Sequence, residues 1–245
     1  MNGYEAEIRD ELIIWERKMT RKAPMFSRAT KKLQNKVNHV IPERVHTVVT
    51  NSIRKMVEGV LAGNSYTVKE PLKNLSLQER DKLAREATVT FKRIAAVEGA
   101  GTGAGGILLG LADFPLLLSI KMKFLFNLAS IYGFDARRFE ERVFILTIFQ
   151  LAFSSNQKRK EVFRRLKDWE ATANGYKEKA SFDKEYDWKS FQLEYRDYID
   201  IPKLLQMIPG LGAIVGAFVN FHFIDWLGEI GMNAYRQRLL PSKTS

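Results

Sequence analysis

The feature that most constrains this chain is an apolar, glycine-rich stretch, GAGTGAGGILLGLADFP at residues 99–115, with six glycines between residues 99 and 110. Glycine is less favourable than alanine inside a helix by about 1 kcal/mol, because it loses more backbone freedom on folding. A stretch of this composition therefore needs a compensating interaction. Three arrangements can supply this compensating interaction: a loop that binds phosphate, a segment that enters a membrane, or helices that pack closely together.

A nucleotide-binding loop fits the glycine spacing but not its context. Gly101, Gly103 and Gly106 match the G-x-G-x-x-G fingerprint. That fingerprint follows a β-strand and precedes, by about 20 residues, an acidic residue that binds the ribose. Here the preceding residues have helical periodicity, and no Asp or Glu lies between Asp113 and Asp135. We therefore expect no nucleotide site, and we expect no cofactor or metal elsewhere in the chain.

A transmembrane span is the second arrangement. The apolar run at 107–120 is short and contains Asp113, whereas a span needs about 20 apolar residues. A second Gly-rich segment, from residue 207, is long enough but contains His222 and Asp225, and a carboxylate within a span costs about 2.5–3.5 kcal/mol. The sequence favours helices buried in a protein core over a span. A Gly-rich hairpin that dips into an anionic leaflet is the remaining membrane alternative.

Close helix packing explains the glycines best. Small residues recur every four positions in both segments, which places them on one side of a helix and lets two backbones approach each other. We predict that the two Gly-rich segments, at 94–132 and 207–240, pack against each other. The glycines predicted to form this contact are Gly99, Gly103, Gly106, Gly110, Gly212 and Gly216.

Helical patterns also dominate the rest of the chain, which predicts an all-α, multi-helix single domain. Pro42 begins a helix that ends at Gly63, and Ser76 with Glu79 forms a capping box at the start of another. Asp135 is predicted to cap a central apolar helix. The predicted regions are a basic helical region at 1–63, the Gly-rich segment at 94–132, the apolar helix at 136–154, a region at 171–200 and the Gly-rich segment at 207–240. The region at 171–200 comprises a loop that begins at Ala171 and, after it, an aromatic helix.

The net charge is +11, and a surface of this sign attracts polyanions such as nucleic acid or the anionic inner face of a membrane. No helix-turn-helix or other nucleic-acid motif accompanies the charge, so we expect no nucleic acid as partner. Two clusters carry much of the charge, and a solvated helix face explains each of them equally well. The first, predicted to bind an anionic surface, comprises Arg17, Lys18, Arg21, Lys22, Arg28, Lys31, Lys32 and Lys36. The second comprises Lys158, Arg159, Lys160, Arg164, Arg165 and Lys167.

Catalytic chemistry has little support in the sequence. There is no cysteine, and neither the G-x-S-x-G nor the H-E-x-x-H motif is present. His222, Asp225 and Glu229 share a helical face, but any amphipathic helix shows such a polar stripe. We therefore favour a protein that is not an enzyme. The alternatives are a lipid-binding protein, or a hydrolase-like or metal-dependent enzyme with a site between the Gly-rich segments at Glu98, Asp113, His222 and Asp225.

Two long pieces of the chain resemble the EcsC family: AAVEGAGTGAGGILLGLADFPLLLSIKMKFLFNLASIYGFD at 95–135 and IPGLGAIVGAFVNFHFIDWLGEIGMNAYRQRLL at 208–240. The shorter pieces WERKM and NHVIPERVH are also similar to that family. The resemblance implies a bacterial accessory or regulatory protein associated with an ABC transporter and protein secretion, and it brings no catalytic residues. The expected partners are the anionic membrane surface and a membrane transporter complex. Because residues 1–15 lack the apolar region of a signal peptide, we expect a cytoplasmic protein peripheral to the inner membrane.

Overall fold

The computed structural model describes residues 3–21, 43–63, 68–102, 112–155, 158–174, 199 and 215–240. The helices, in chain order, are α1 (Gly3–Thr20), α2 (Glu43–Ala62), α3 (Leu77–Thr102), α4 (Phe114–Tyr132), α5 (Phe139–Phe153), α6 (Arg159–Lys167) and α7 (Val215–Leu239). Within these ranges, extended pairing is limited to an isolated bridge between Ser154 and Ile199. The prediction of an all-α domain is confirmed.

Two helix boundaries follow the local signals that predicted them. α2 ends at Ala62, and Gly63 then takes a φ of 74°, a left-handed conformation that favours glycine. At the start of α3 the Glu79 amide donates to the Ser76 hydroxyl at 3.3 Å, and the Ser76 amide donates to the Glu79 carboxylate at 2.8 Å. The predicted capping box is therefore confirmed.

Two boundaries differ from the prediction, and Asp113 occupies the cap position of α4 without a capping hydrogen bond to its side chain. α5 begins at Phe139 rather than 136, because the Asp135 carboxylate accepts the backbone N–H of Arg137 at 3.0 Å and forms a local turn instead of a helix cap. The loop predicted from Ala171 does not begin at that residue, since residues 169–174 are helical; residues 175–198 lie outside the described part.

The core is built around α4 and α5. Every residue from Val143 to Phe153 of α5 is buried, which confirms the prediction of a central apolar helix. Such burial is the main source of stability, because each large apolar side chain removed from water contributes about 1.5–3 kcal/mol. α4 is long and apolar enough to cross a membrane, but 72% of its apolar window is buried inside the bundle. A core helix meets the same criteria, so this helix gives only weak support for a span.

Contacts between helices fix their relative directions. The Tyr4 hydroxyl near the start of α1 meets Asp81 near the start of α3 at 2.6 Å, so these two helix starts lie together. Arg236 near the end of α7 also meets Asp81, at 2.9 Å, whereas Asp225 in the middle of α7 pairs with Lys92, eleven residues after Asp81, at 2.6 Å. α7 is therefore antiparallel to α3.

The remaining contacts define two ends of the bundle. α4 is antiparallel to α3, because Phe124 packs on Phe91 and Tyr132, at the end of α4, reaches Asp81. Lys18 near the end of α1 binds the α7 residue Glu229 at 2.6 Å. The Asp81 end therefore holds the starts of α1 and α3 and the ends of α4 and α7. The Gly-rich end holds the end of α3 and the starts of α4 and α7, the helix ends nearest in sequence to both Gly-rich stretches, whereas the end of α1 lies beside the middle of α7.

The two helices that carry parts of the Gly-rich segments, α3 and α7, pack closely against each other, as predicted. A Cβ added at Gly228 of α7 would lie 3.0 Å from the Thr88 hydroxyl of α3, and one added at Gly231 would lie 2.8 Å from Leu128 of α4. These two glycines therefore allow the close approach. The six glycines named from the sequence stay a prediction. Four of them, Gly103, Gly106, Gly110 and Gly212, lie outside the described residues, as do the surroundings of Gly99 and Gly216.

Candidate functional site

The two basic clusters of the sequence meet where α1 ends. Arg159, the first residue of α6, donates to the main-chain carbonyls of Met19 at 3.3 Å and Arg21 at 3.4 Å. Carbonyls at a helix end lack intrahelical partners, so the guanidinium caps α1. Beneath this contact the rings of Trp15 and Phe163 pack edge to face with centroids 5.2 Å apart. Clusters about 140 residues apart in sequence are thereby joined into one surface.

The basic residues of the two clusters differ in whether they pair with carboxylates. Arg165 and Lys167 are not part of the joined surface, since they pair with Glu161 and Glu16. Within the part of the chain that the structure describes, no carboxylate lies within 4 Å of Arg17, Arg21, Lys160 or Arg164. The basic surface comprises Arg17, Arg21, Lys158, Arg159, Lys160 and Arg164. Lys18 lies beside it and pairs with Glu229 at 2.6 Å. The other predicted members of the first cluster, Lys22, Arg28, Lys31, Lys32 and Lys36, lie outside the described residues.

An apolar side chain accompanies these cations on α1. Ile14 is 66% exposed and precedes Arg17 and Lys18 by three and four residues, so the three share one face of the helix. An exposed face that combines apolar and basic side chains is typical of helices that lie at a membrane interface.

The residues named as catalytic candidates do not form a site within the described part. Asp225 pairs with Lys92, whose ammonium also lies 3.8 Å from the centre of the Phe221 ring. His222 is exposed on α7, and Asp113 is half-buried at the start of α4. Glu98 belongs to α3, but its side chain lies outside the described residues. Across the described ranges, no three acidic or histidine side chains are grouped closely enough to hold a metal ion.

A buried polar cluster at the Asp81 end was not predicted from the sequence. Asp81 is fully buried and accepts hydrogen bonds from the Tyr132 hydroxyl at 2.5 Å, the Tyr4 hydroxyl at 2.6 Å and the Arg236 guanidinium at 2.9 Å. Burial lowers the pKa of Arg236, but the hydrogen bonds and charge of Asp81 outweigh this effect and raise it overall. Burial and the Asp81 charge also raise the pKa of Tyr132 well above its usual range. Arg236 therefore stays charged and Tyr132 stays a donor.

The same cluster holds four helices together. Arg236 also donates to Glu11 of α1 at 2.9 Å and to Asn233 at 3.0 Å. The cluster thus joins α1, α3, α4 and α7. Its signal in the sequence was incomplete, because Arg236 continues the polar stripe of α7 but Asp81 lies 155 residues away in an ordinary helical pattern. Its burial and complete hydrogen bonding indicate a structural role.

A cleft of about 580 Å³ opens beside this cluster, at the Asp81 end. Tyr4 lies in its wall, where the Arg85 guanidinium donates to the Tyr4 hydroxyl at 3.1 Å. Its lining contains both acidic and basic side chains, so neither sign of charge predominates. The lining residues are Tyr4, Gln78, Glu79, Lys82, Arg85 and Glu86. None of the candidate site residues named from the sequence contributes to it.

Comparison with known proteins identifies the family. The EcsC protein family matches the chain from residue 6 to residue 240. The chain belongs to the EcsC protein family. It is 50% identical to Protein EcsC of Bacillus subtilis (strain 168) over 231 residues, which cover 94% of each chain. It is also 30% identical to Uncharacterized protein YdbA of the same organism over 186 residues, 76% of this chain and 67% of that one. No solved structure matches the chain significantly.

This EcsC-family fold also encloses a lysine in its core. Lys121 of α4 is fully buried, and its ammonium donates to the Leu117 carbonyl at 3.4 Å. Burial lowers the pKa of Lys121 to about 7, because a low-dielectric environment disfavours the charged form. The unfolded chain keeps this proton up to a pH of about 10, so it binds more protons than the folded chain above pH 7. Stability from this group therefore rises with pH across that window, by about 1.4 kcal/mol per unit, and is lost again as pH falls towards 7.

Replacement of Lys121 by methionine is expected to stabilise the protein near neutral pH by about 2–4 kcal/mol, because methionine fills the same space without a charge to desolvate. The advantage of Lys121→Met should shrink as pH rises towards 10. Denaturant unfolding of both proteins at several pH values measures it. Lys123→Met, on the exposed side of the same helix, is the matched control and should show no such trend. Parallel stability curves for Lys121→Met and the unmodified chain would contradict the prediction.

Proposed function

We propose that this protein is an accessory or regulatory protein at the cytoplasmic face of a bacterial membrane, where its basic surface binds anionic phospholipid. The observation that carries the proposal is the union of two basic clusters at the end of α1, held by the Arg159 cap and the Trp15–Phe163 contact. A solvated face explains one basic helix. It does not explain why two remote basic clusters are joined into one exposed surface.

The electrostatics support a peripheral mode of binding. Each Lys or Arg near an anionic membrane contributes about 1 kcal/mol, so the four cations without a neighbouring described carboxylate would give measurable affinity. This attraction is screened by salt, since the Debye length falls from about 10 Å at 0.1 M to about 3 Å at 1 M.

The proposed partner at the membrane follows from the family. Protein EcsC of Bacillus subtilis is similar to this chain over nearly its whole length, and the family resemblance implies an association with an ABC transporter and protein secretion. We therefore include a transporter complex as the protein partner. The described residues do not favour the enzymatic alternative, because Asp225 and Glu229 are both engaged in ion pairs with other helices.

The test is binding of the full chain to vesicles of phosphatidylglycerol and phosphatidylcholine, measured by co-sedimentation. We expect binding at low salt, release of most of the protein at high salt, and little binding to pure phosphatidylcholine. Membranes from cells that express the protein, washed in turn with low salt, high salt and detergent, should release it mainly at high salt. Equal binding to neutral and anionic vesicles, or no binding at low salt, would contradict the proposal.

A further inference from the structure

We infer that the Gly-rich end of the bundle also inserts apolar side chains into the bilayer, among them Val97 of α3. This inference rests on the proposed function and adds a second mode of attachment beside the electrostatic one. It concerns different residues from the basic surface, so the two can be tested separately.

Three exposed apolar side chains lie at this end, among them Val97, which has the largest exposed fraction of the large apolar side chains in the described residues. Val97 is 73% exposed, Ile94 on the same helix is 41% exposed, and Leu116 at the start of α4 is 43% exposed. A single exposed valine is common on protein surfaces, whereas several apolar side chains on adjoining helix ends form a patch that needs an explanation.

The register of α3 and α4 places these residues at similar heights. Phe91 and Phe124 pack on each other with ring centroids 5.2 Å apart, and the two helices are antiparallel. With a rise of about 1.5 Å per residue, Val97 lies about 9 Å beyond this contact and Leu116 about 12 Å beyond it. Both therefore lie near the tip of the helix pair.

Cations lie behind this tip, which favours a lipid bilayer as the occupant. Arg93 is exposed one turn before Val97 on the same face of α3, and Lys123 is exposed two turns after Leu116 on the same face of α4. The sequence between Glu98 and Asp113 contains no charged residue. Apolar side chains at the tip and cations about one to two turns behind it match the order of hydrocarbon and phosphate in an anionic leaflet.

The first test uses the absence of cysteine from the chain, which lets one introduced thiol be labelled uniquely. Val97→Cys and Val89→Cys each carry the environment-sensitive fluorophore NBD. Val89 is 47% exposed on the same side of α3 but two turns nearer the Asp81 end, so it is the matched control. With phosphatidylglycerol vesicles at low salt, the label at 97 should shift to the blue and brighten several-fold, while the label at 89 stays unchanged.

The second test compares Val97→Asp with Val89→Asp, which change the net charge equally. Loss of the inserted valine should weaken vesicle binding by at least about tenfold for Val97→Asp, against about twofold or less for Val89→Asp. Thermal unfolding checks that both variants stay folded, as expected for exposed sites.

The two proposals fail in different ways. If the unmodified protein does not bind anionic vesicles at low salt, the proposed function is wrong, and the insertion with it. If it binds but the label at 97 behaves like the label at 89, and the two aspartate variants bind equally, only the insertion is overturned. If the fluorescence of the label at 97 shifted on addition of a purified protein but not of vesicles, the insertion would be overturned. The Gly-rich end would then be a protein-binding surface.

Discussion

Replacement of Asp81 by alanine is expected to destabilise the fold by about 3–5 kcal/mol, because removal of one member of a buried ion pair leaves the other charge without its partner. The side chains of Asp81 and Arg236 are 0% and 5% exposed, so water cannot replace the lost carboxylate. The hydroxyls of Tyr4 and Tyr132 also lose their acceptor, and each buried unsatisfied group adds to the loss.

Thermal and denaturant unfolding measure this effect. For a chain of this length the midpoint temperature should fall by about 10 °C or more, at about 2–4 °C per kcal/mol. Glu58→Ala is the matched control, because Glu58 forms an exposed pair with Arg54 at 3.9 Å within α2. Such surface pairs contribute about 0.5 kcal/mol or less.

A double variant separates the effect of the lost charge from the effect of the lost side-chain volume. Asp81→Leu combined with Arg236→Met removes both charges and keeps apolar volume, so it should recover much of the stability lost in Asp81→Ala. A loss of less than about 1 kcal/mol for Asp81→Ala would show that the cluster does not hold the four helices together.

Local signals in the sequence identify most helix ends and the core. Gly63 can end α2 because glycine adopts the left-handed conformation at little cost, and the capping box of Ser76 and Glu79 needs only four consecutive residues. The sequence placed the start of α5 three residues too early. The Asp135 carboxylate can either cap a helix or form a local turn, and it binds the backbone N–H of Arg137 in such a turn. The local sequence allows both options. The observed turn also places the Arg137 guanidinium on the remote Glu70 carboxylate at 2.6 Å, a contact that the local pattern does not contain.

The candidate site depends on contacts that no local pattern contains. The sequence predicted the polar stripe on α7 but not its role. Asp225, Glu229 and Arg236 each bind a residue of another helix, and the sequence pattern does not identify those partners. The two basic clusters were also visible. Their union depends on the packing of α6 against α1, which is set by apolar contacts such as Trp15 with Phe163.

Neutralisation of four cations on the basic surface is expected to weaken binding to anionic vesicles by about 100-fold or more at low salt. The variant changes to glutamine the four residues without a described carboxylate neighbour: Arg17, Arg21, Lys160 and Arg164. Each cation near an anionic surface contributes about 1 kcal/mol, and about 1.4 kcal/mol corresponds to a tenfold change in affinity. The effect should shrink as salt is added, because salt screens the same charges.

The control variant carries the same change in net charge elsewhere, at the exposed cations Arg54, Lys55, Lys73 and Lys82. Vesicle co-sedimentation at several salt concentrations compares the two variants with the unmodified protein. If net charge alone attracted the protein to the membrane, both variants would lose affinity equally and the position of the basic surface would not matter. A loss confined to the first variant would support docking through the end of α1. The minor fraction that stays bound at high salt depends on Val97 in our inference, so it should survive neutralisation of these four cations.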